Sequence, residues 1–170
     1  MSSRFQIVAV LLTLGSNIAV AATTTTNLNV TATVSATCSV TTSAVAFGTY
    51  DPTSASPKDA TGSATVTCTS GTTYSIALDA GAHESTSGDA STRRMLANTS
   101  DYLPYTLYLD SGHTTIWGDG ANGTSVNPSS GTFTGDGTDQ SYSAYGRIAP
   151  SQYVATGSYS DALVATVTYN

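Results

Sequence analysis

The chain has 170 residues and a formal net charge of −6, and only 9% of its side chains are charged, against about 25% in typical globular proteins. With five Lys and Arg residues in all, it offers no basic patch for nucleic acid. Thr and Tyr, which favour strands, are frequent, whereas strong helix formers are scarce. Composition therefore predicts a strand-rich, helix-poor chain with a polar, weakly charged surface.

The first 21 residues have the pattern of an export signal. Arg4 precedes an apolar run over residues 5–14, and Ala19, Val20 and Ala21 form a small-x-small cleavage site. The apolar run is too short for a membrane-spanning helix. We expect the exported chain to begin near Ala22, which leaves enough residues for one domain with a core of its own.

Residues 27–40 alternate between apolar and polar side chains. This pattern predicts one long half-buried strand, or two strands in tandem. Such a strand either pairs within its own domain or is lent to a neighbouring molecule. One parity carries Leu28, Val30, Ala32, Val34, Ala36, Cys38 and Val40.

Cys38 and Cys68 are the two cysteines of the chain. An exported protein folds in an oxidising compartment, so the pair predicts one disulfide bond. The bond would close a loop of about thirty residues, which corresponds to roughly 3–4 kcal/mol in the chain-entropy model. Their spacing does not fit a CxxC redox centre or a thiolate metal site.

The rest of the chain is a series of short strands separated by turn residues, which is typical of a β-sandwich. Ser70 and Gly71 predict a tight hairpin, and Pro104 indicates a strand with an unpaired edge. Polar loops are predicted over 51–62, 83–92 and 119–137, the last with Phe133 as its large apolar residue. Strands are predicted over 44–50, 63–69, 74–78, 94–98, 103–110, 142–148 and 159–169.

The sequence gives little support for a catalytic, metal or cofactor site. His83 and His113 lie in polar stretches and are expected to face solvent, without a GxSxG or HExxH motif beside them. Residues 118–123 match GxGxxG, but no helix follows. We therefore expect no catalytic residue, no metal and no cofactor. A role in turns explains the acidic and amide residues Asp119, Asn122, Asp136 and Asp139. Core packing explains the aromatic residues Trp117, Tyr102, Tyr105 and Tyr108 better than a surface patch does.

The last strand alternates as well, and the chain stops at Asn170, directly after it. Its inward positions are Tyr159, Leu163, Ala165, Val167 and Tyr169. A surplus strand at one end and a final strand at the other predict that each molecule lends its first strand to the next.

Eight segments in this order resemble the spore coat protein U domain family, the pilins of archaic chaperone–usher pili. The resemblance implies an incomplete immunoglobulin-like sandwich that lacks its last strand. A periplasmic chaperone would fill the gap before assembly, and the N-terminal strand of the next subunit would fill it afterwards. The segments are LNVTATVSATC (28–38), FGTY (47–50), SATVTC (63–68), YSIALDAG (74–81), RRMLANTS (93–100), LPYTLYLD (103–110), YGRIAPSQ (145–152) and GSYSDALVATVTYN (157–170).

Transferred to this sequence, the resemblance implies a signal peptide over 1–21, a donor strand over 22–36 and a sandwich domain over 37–170. The donor side chains would be Leu28, Val30, Ala32 and Val34, and the acceptor groove would be lined by Val40, Leu163, Ala165, Val167 and Tyr169. The implied partners are identical or related subunits joined head to tail, a periplasmic chaperone and an outer-membrane usher.

The implied role is that of a cell-surface pilus subunit for adhesion and biofilm formation, without enzymatic activity. Two alternatives stay open at this point. One is a spore or cell coat protein that assembles by the same strand exchange. The other is a monomeric carbohydrate-binding sandwich, in which residues 28–34 belong to the protein's own sheet.

Overall fold

The computed structural model describes residues 19–170. It divides into one unit that ends at Thr33 and a second over Val34–Asn170. The described part of the first unit, residues 19–33, is extended and forms no sheet. The second unit contains nine strands and one short 3-10 turn, Ala90–Thr92. The strands are β1 (Cys38–Ser43), β2 (Lys58–Cys68), β3 (Thr73–Leu78), β4 (Arg94–Ala97), β5 (Asp101–Pro104), β6 (Thr106–Tyr108), β7 (Phe133–Thr134), β8 (Asp139–Ile148) and β9 (Ala165–Tyr169).

The strands form two facing sheets and a small ribbon, and every pairing is antiparallel. The first sheet has the order β1-β2-β8-β6, the second β7-β3-β9, and β4 pairs with β5. The all-β fold class expected from the sequence is thus confirmed. Because side chains alternate across a strand, β2, β3 and β8 each send one parity inward. The core contains Val66, Tyr74, Ile76, Leu78, Leu103, Leu107, Trp117, Ala144 and Ile148.

The predicted hairpin at Ser70 and Gly71 is wrong. Both edges of β2 are occupied, by β1 and β8, whereas β3 pairs with β7 and β9. The turn therefore carries the chain from one sheet to the other. Gly71 has φ of 85°, a conformation that glycine adopts without strain.

Two predicted strands are divided or incomplete. Residues 103–110 form parts of β5 and β6, which belong to different sheets. The break falls after Pro104, which has no N–H to donate to a ladder. Residues 44–50 have the alternation of a strand but pair with no neighbour in the described chain. Within residues 27–40, ladder pairing starts only at Cys38.

Within residues 19–170, no helix is long and apolar enough to cross a membrane.

Candidate functional site

Backbone hydrogen bonds run almost all the way round the sandwich. Beyond β6, residues 115–117 pair with residues 107–109, Ser125 pairs with residues 116–118, and Asn127 pairs with Ile76 of β3. The hydrogen-bonded order is thus β1-β2-β8-β6, then these two segments, then β3-β9. Among the described residues, the two free ends of this series are the outer edges of β1 and β9.

The two free edges carry backbone groups that can accept another strand. Thr37 exchanges hydrogen bonds with Thr69, so alternation turns the N–H and C=O of Val40 away from β2. Val164 accepts from the N–H of Asp79, and Asn170 donates to Thr73. By the same alternation, the backbone groups of Ala165, Val167 and Tyr169 point away from β3. Unpaired edges of this kind readily pair with a further strand.

An open groove, which we call the edge groove, runs between the segment after β1 and the segment before β9. It consists of two adjoining hollows of about 480 Å³ and 650 Å³ that share several residues. The floor is formed by residues of the core, among them the buried Leu107, Trp117 and Ala144. The walls and rim include Val45, Phe47, Tyr50, Met95, Val154, Tyr159, Leu163 and Ala165.

Two glycines let one wall approach the sheet closely. A Cβ on Gly146 of β8 would lie 2.6 Å from Val45 Cγ1 and 2.8 Å from Phe47 Cζ. A Cβ on Gly62 of β2 would lie 2.6 Å from the carbonyl oxygen of Ser43. Because real Cβ atoms do not come so close, larger residues would push the 43–47 segment into the groove.

Asp161 is the one charged side chain among the residues that line the two hollows. Its carboxylate accepts from the hydroxyl of Tyr105 at 2.7 Å and from the backbone N–H of Ala82 at 3.0 Å. Burial, together with this hydrogen bond, raises the pKa of Tyr105. Elsewhere the groove is lined by apolar and uncharged polar residues. At Asp161 the tyrosine stays protonated and keeps its hydroxyl donating to the carboxylate.

The alternating N-terminal segment is exposed over its described length. Leu28, Val30 and Val34 have exposed fractions of 89%, 86% and 81%, and residues 19–37 contain no charged side chain. Large apolar side chains this exposed, at one parity of an extended segment, form a ready-made face for burial in another surface.

The predicted disulfide bond is present. Cys38 and Cys68 are joined with their Cα atoms 4.1 Å apart, and they are opposite residues in the β1–β2 register. The bond attaches the first residue of β1 to the sheet. It thereby fixes the start of one free edge directly after the exposed segment.

The predicted acceptor residues do not all reach the wide part of the groove. Leu163 and Ala165 line it. Val40 and Val167 are half-buried against the core beside it, and Tyr169 is 42% exposed at the end of β9. Sequence reasoning missed Val45, Phe47 and Tyr159 as wall residues, although the alternation in 44–50 and the shared parity of Tyr159 and Leu163 carried the signal.

Other sequence candidates lie elsewhere, and one expectation needs correction. The His113 side chain is only 10% exposed because its ring packs edge-on against Tyr108, so it does not face solvent. Of the neighbouring cations, Arg93 is 1% exposed, and the guanidinium carbon of Arg94 lies 4.0 Å from the ring centre of Tyr102. Trp117 is fully buried, as core packing predicts.

Comparisons with known proteins agree with this architecture. The chain is 39% identical over 131 residues to Protein U of Myxococcus xanthus, which covers 72% of this chain and 70% of that protein. In structure it is similar to a chain in the CsuC–CsuE chaperone–tip adhesion subunit pre-assembly complex from archaic chaperone–usher Csu pili of Acinetobacter baumannii. The TM-score is 0.53 and the identity 21%, over 79% of this chain but only 40% of that chain.

At 21% identity, the structural similarity establishes the fold and no more. The family model is more specific, because it matches residues 24–166 and so includes both the exposed N-terminal segment and the start of β9. The chain belongs to the Spore Coat Protein U domain family.

Proposed function

We propose that the protein is a structural pilus subunit that polymerises head to tail by donor-strand complementation. Residues around 25–35 of one copy enter the edge groove of the next, with Leu28, Val30, Ala32 and Val34 facing the core. This is β-augmentation, in which main-chain hydrogen bonds give affinity and alternate side chains give specificity. We assign the protein no catalytic activity.

One observation carries the proposal: the hydrogen-bonded series of strands ends at β1 on one side of the edge groove and at β9 on the other. A single further strand would cover the edge groove, and it would pair with both edges once β1 and β9, which contact each other, move apart to the spacing of two strand pairs. The exposed N-terminal segment has the alternation for this position, and its lack of charge avoids burying an ion. Since the two surfaces differ, each copy both donates and accepts, which yields a fibre and not a closed dimer.

The energetics favour a durable joint. Burying Leu28, Val30 and Val34 contributes about 1.5–3 kcal/mol each before the cost of ordering the segment. Each new backbone hydrogen bond adds about 0.5–1.5 kcal/mol net. An inserted strand cannot leave piecemeal without exposing these groups, so the joint should be kinetically stable.

Before assembly, the groove needs a temporary occupant, because an exposed core and unpaired edges lead to aggregation. We propose that a periplasmic chaperone takes this place and that an outer-membrane usher exchanges it for the next subunit. The mature fibre then lies at the cell surface, where it serves adhesion and biofilm formation. The Csu complex, which joins a chaperone to a tip adhesion subunit, supports a chaperone as partner.

The parity of the N-terminal segment supplies a matched test. Val30→Asp places a charge on the side that would enter the groove, whereas Thr31→Asp places the same charge on the opposite side. We expect fibres from the wild type and from Thr31→Asp, and monomers or chaperone complexes from Val30→Asp, by electron microscopy and size-exclusion chromatography. Normal fibres from Val30→Asp would overturn the proposal.

A coat subunit that assembles by the same strand exchange is the second candidate, because the family is named for a spore coat protein. It predicts the same response to Val30→Asp but a layer around the cell in place of separate fibres. Electron microscopy of intact cells distinguishes the two. A folded monomer that gains no stability from an added peptide of residues 24–36 would instead favour a self-contained binding domain.

A further inference from the structure

The side of the sandwich opposite the edge groove has two strand edges of its own, those of β6 and β3. Residues 115–127, here called the edge segment, cover both. On the β6 side, Trp117 donates to the carbonyl of Leu107 at 2.9 Å, and Leu109 donates to Thr115 at 2.9 Å. On the β3 side, Asn127 and Ile76 exchange two backbone hydrogen bonds of 2.8 Å.

The two halves of the edge segment also bind each other. Gly118 donates to Ser125 at 2.8 Å, and Ser125 donates to Ile116 at 2.9 Å. Leu78 of β3 donates to the carbonyl of Gly118 at 3.2 Å. No backbone gap therefore separates β6 from β3, whereas β9 and β1 are left without such a bridge among the described residues.

Side chains hold the edge segment in place. The indole Nε1 of the buried Trp117 donates to the carbonyl of Ile76 at 3.0 Å, and the guanidinium of Arg93 donates to the carbonyl of Trp117 at 2.7 Å. Farther along, β7 pairs with Thr73 and Tyr74, and the ring of Phe133 stacks on Tyr142 at 4.1 Å. The β3 edge is thus occupied from Tyr74 to Leu78.

We propose that the edge segment limits each subunit to one acceptor site, and so makes assembly linear. The occupant that it excludes is a second copy's N-terminal strand. Without it, the β3 edge would present the N–H and C=O of Ile76 beside the same apolar core that forms the floor of the edge groove. An alternating, uncharged strand has the chemistry to pair with either edge, so the chain itself must occupy one of them. This inference rests on the proposed function.

The number of peptides bound per subunit tests the proposal. The chain carrying Val30→Asp, which does not donate its own strand, is mixed with excess synthetic peptide of residues 24–36 and weighed by native mass spectrometry. We expect one peptide per chain. Adding Ser125→Pro and Asn127→Pro removes the two N–H donors of the edge segment to Ile116 and Ile76, and we expect a second peptide to bind.

The matched control is Ser129→Pro with Ser130→Pro, two exposed positions of the same loop whose N–H groups bind no backbone carbonyl of the described chain. It should bind one peptide. One peptide on every variant would overturn this inference and leave the proposed function intact. No peptide on any variant would overturn the proposed function and this inference with it.

Hydrogen exchange on the chain carrying Val30→Asp provides a test that does not depend on the proline variants. The amides of Ile76, Trp117 and Ser125 should be protected with and without peptide, whereas those of Ala165 and Val167 should become protected only when peptide is added. If the edge-segment amides exchange as fast as those of β9 in the free chain, the edge segment does not close this side, and the proposal fails.

Discussion

The two long sides of this sandwich differ in whether their strand edges are paired. On the covered side, the edges of β6 and β3 are joined by residues 115–127 of the same chain. On the open side, the edges of β1 and β9 have no such bridge among the described residues, and the edge groove, with its half-buried walls, lies next to them. The difference shows that an unpaired edge here is not a general property of a small β protein, because the chain covers one edge pair and leaves the other free.

The comparison also separates stability from assembly. The covered side contains the fully buried Trp117 and Arg93, whereas the open side presents half-buried residues such as Val45 and Leu163. We therefore expect substitutions on the covered side to act on the free energy of unfolding. Substitutions on the open side should act mainly on the affinity for the donor strand.

The largest expected effect is that of Arg93→Met on the covered side. The guanidinium donates to the carbonyls of Leu78, Asp79 and Trp117, and methionine would leave these acceptors buried without partners. Leaving buried groups unpaired costs about 1–3 kcal/mol each, so we expect a loss of roughly 3–5 kcal/mol in the free energy of unfolding. Denaturant titration measures it.

Arg94→Met is the matched control. The guanidinium of Arg94 is partly exposed and donates to the loop carbonyls of His83 and Glu84, so its loss should cost less than about 1 kcal/mol. Equal losses for the two arginines would contradict the view that the covered side depends on the buried one. Peptide binding by the folded fraction of Arg93→Met should match the wild type.

The sequence indicated parts of the open side, but neither its wall over residues 43–47 nor the covered side. Alternation marked Leu28, Val30 and Val34 at one end and Leu163 to Tyr169 at the other, because burial on one face imposes a period of two. The edge segment binds mainly through backbone groups of residues such as Gly118, Ser125 and Asn127, and backbone hydrogen bonds place no periodic demand on side chains. Its composition therefore indicated only a loop.

Buried polar groups were equally hidden from sequence reasoning. Arg93 and Arg94 are adjacent and chemically identical, yet only Arg93 meets three carbonyls that converge from β3 and the edge segment. The same limit applies to the predicted hairpin after β2, since nothing local to Ser70 and Gly71 records that β1 and β8 already occupy both edges of β2.

A smaller effect is expected from Gly146→Ala on the open side. The added methyl would meet Val45 and Phe47, and such overpacking typically costs about 1–3 kcal/mol. If the wall moves to relieve the contact, it moves into the edge groove, so affinity for the 24–36 peptide should fall more than stability does. Calorimetric titration of the chain carrying Val30→Asp measures the affinity.

Gly112→Ala is the control for Gly146→Ala, because its added methyl would approach only the side chains of Asp110 and Thr114 in an exposed turn. It should leave peptide affinity unchanged. Unaltered affinity in Gly146→Ala would mean that the 43–47 wall does not set the width of the edge groove.

The smallest expected effect is weaker protection of the edge segment, on the covered side, at low pH. The Asp110 carboxylate accepts from the N–H groups of Thr115 and Thr114 at the start of the edge segment, and these bonds hold the pKa of Asp110 below its usual 3.8. A carboxyl whose pKa is lower in the folded state stabilises the protein above the unfolded pKa, and this contribution is lost as the pH falls through the folded value. Below about pH 4, the edge segment should therefore loosen, because a protonated Asp110 accepts more weakly from Thr115 and Thr114 at its start.

Hydrogen exchange at pH 3 and pH 6, corrected for intrinsic rates, should show lower protection of Ser125 and Trp117 at pH 3. Asp110→Asn should remove most of the difference, and an undiminished difference in that variant would assign the acid response to another carboxylate.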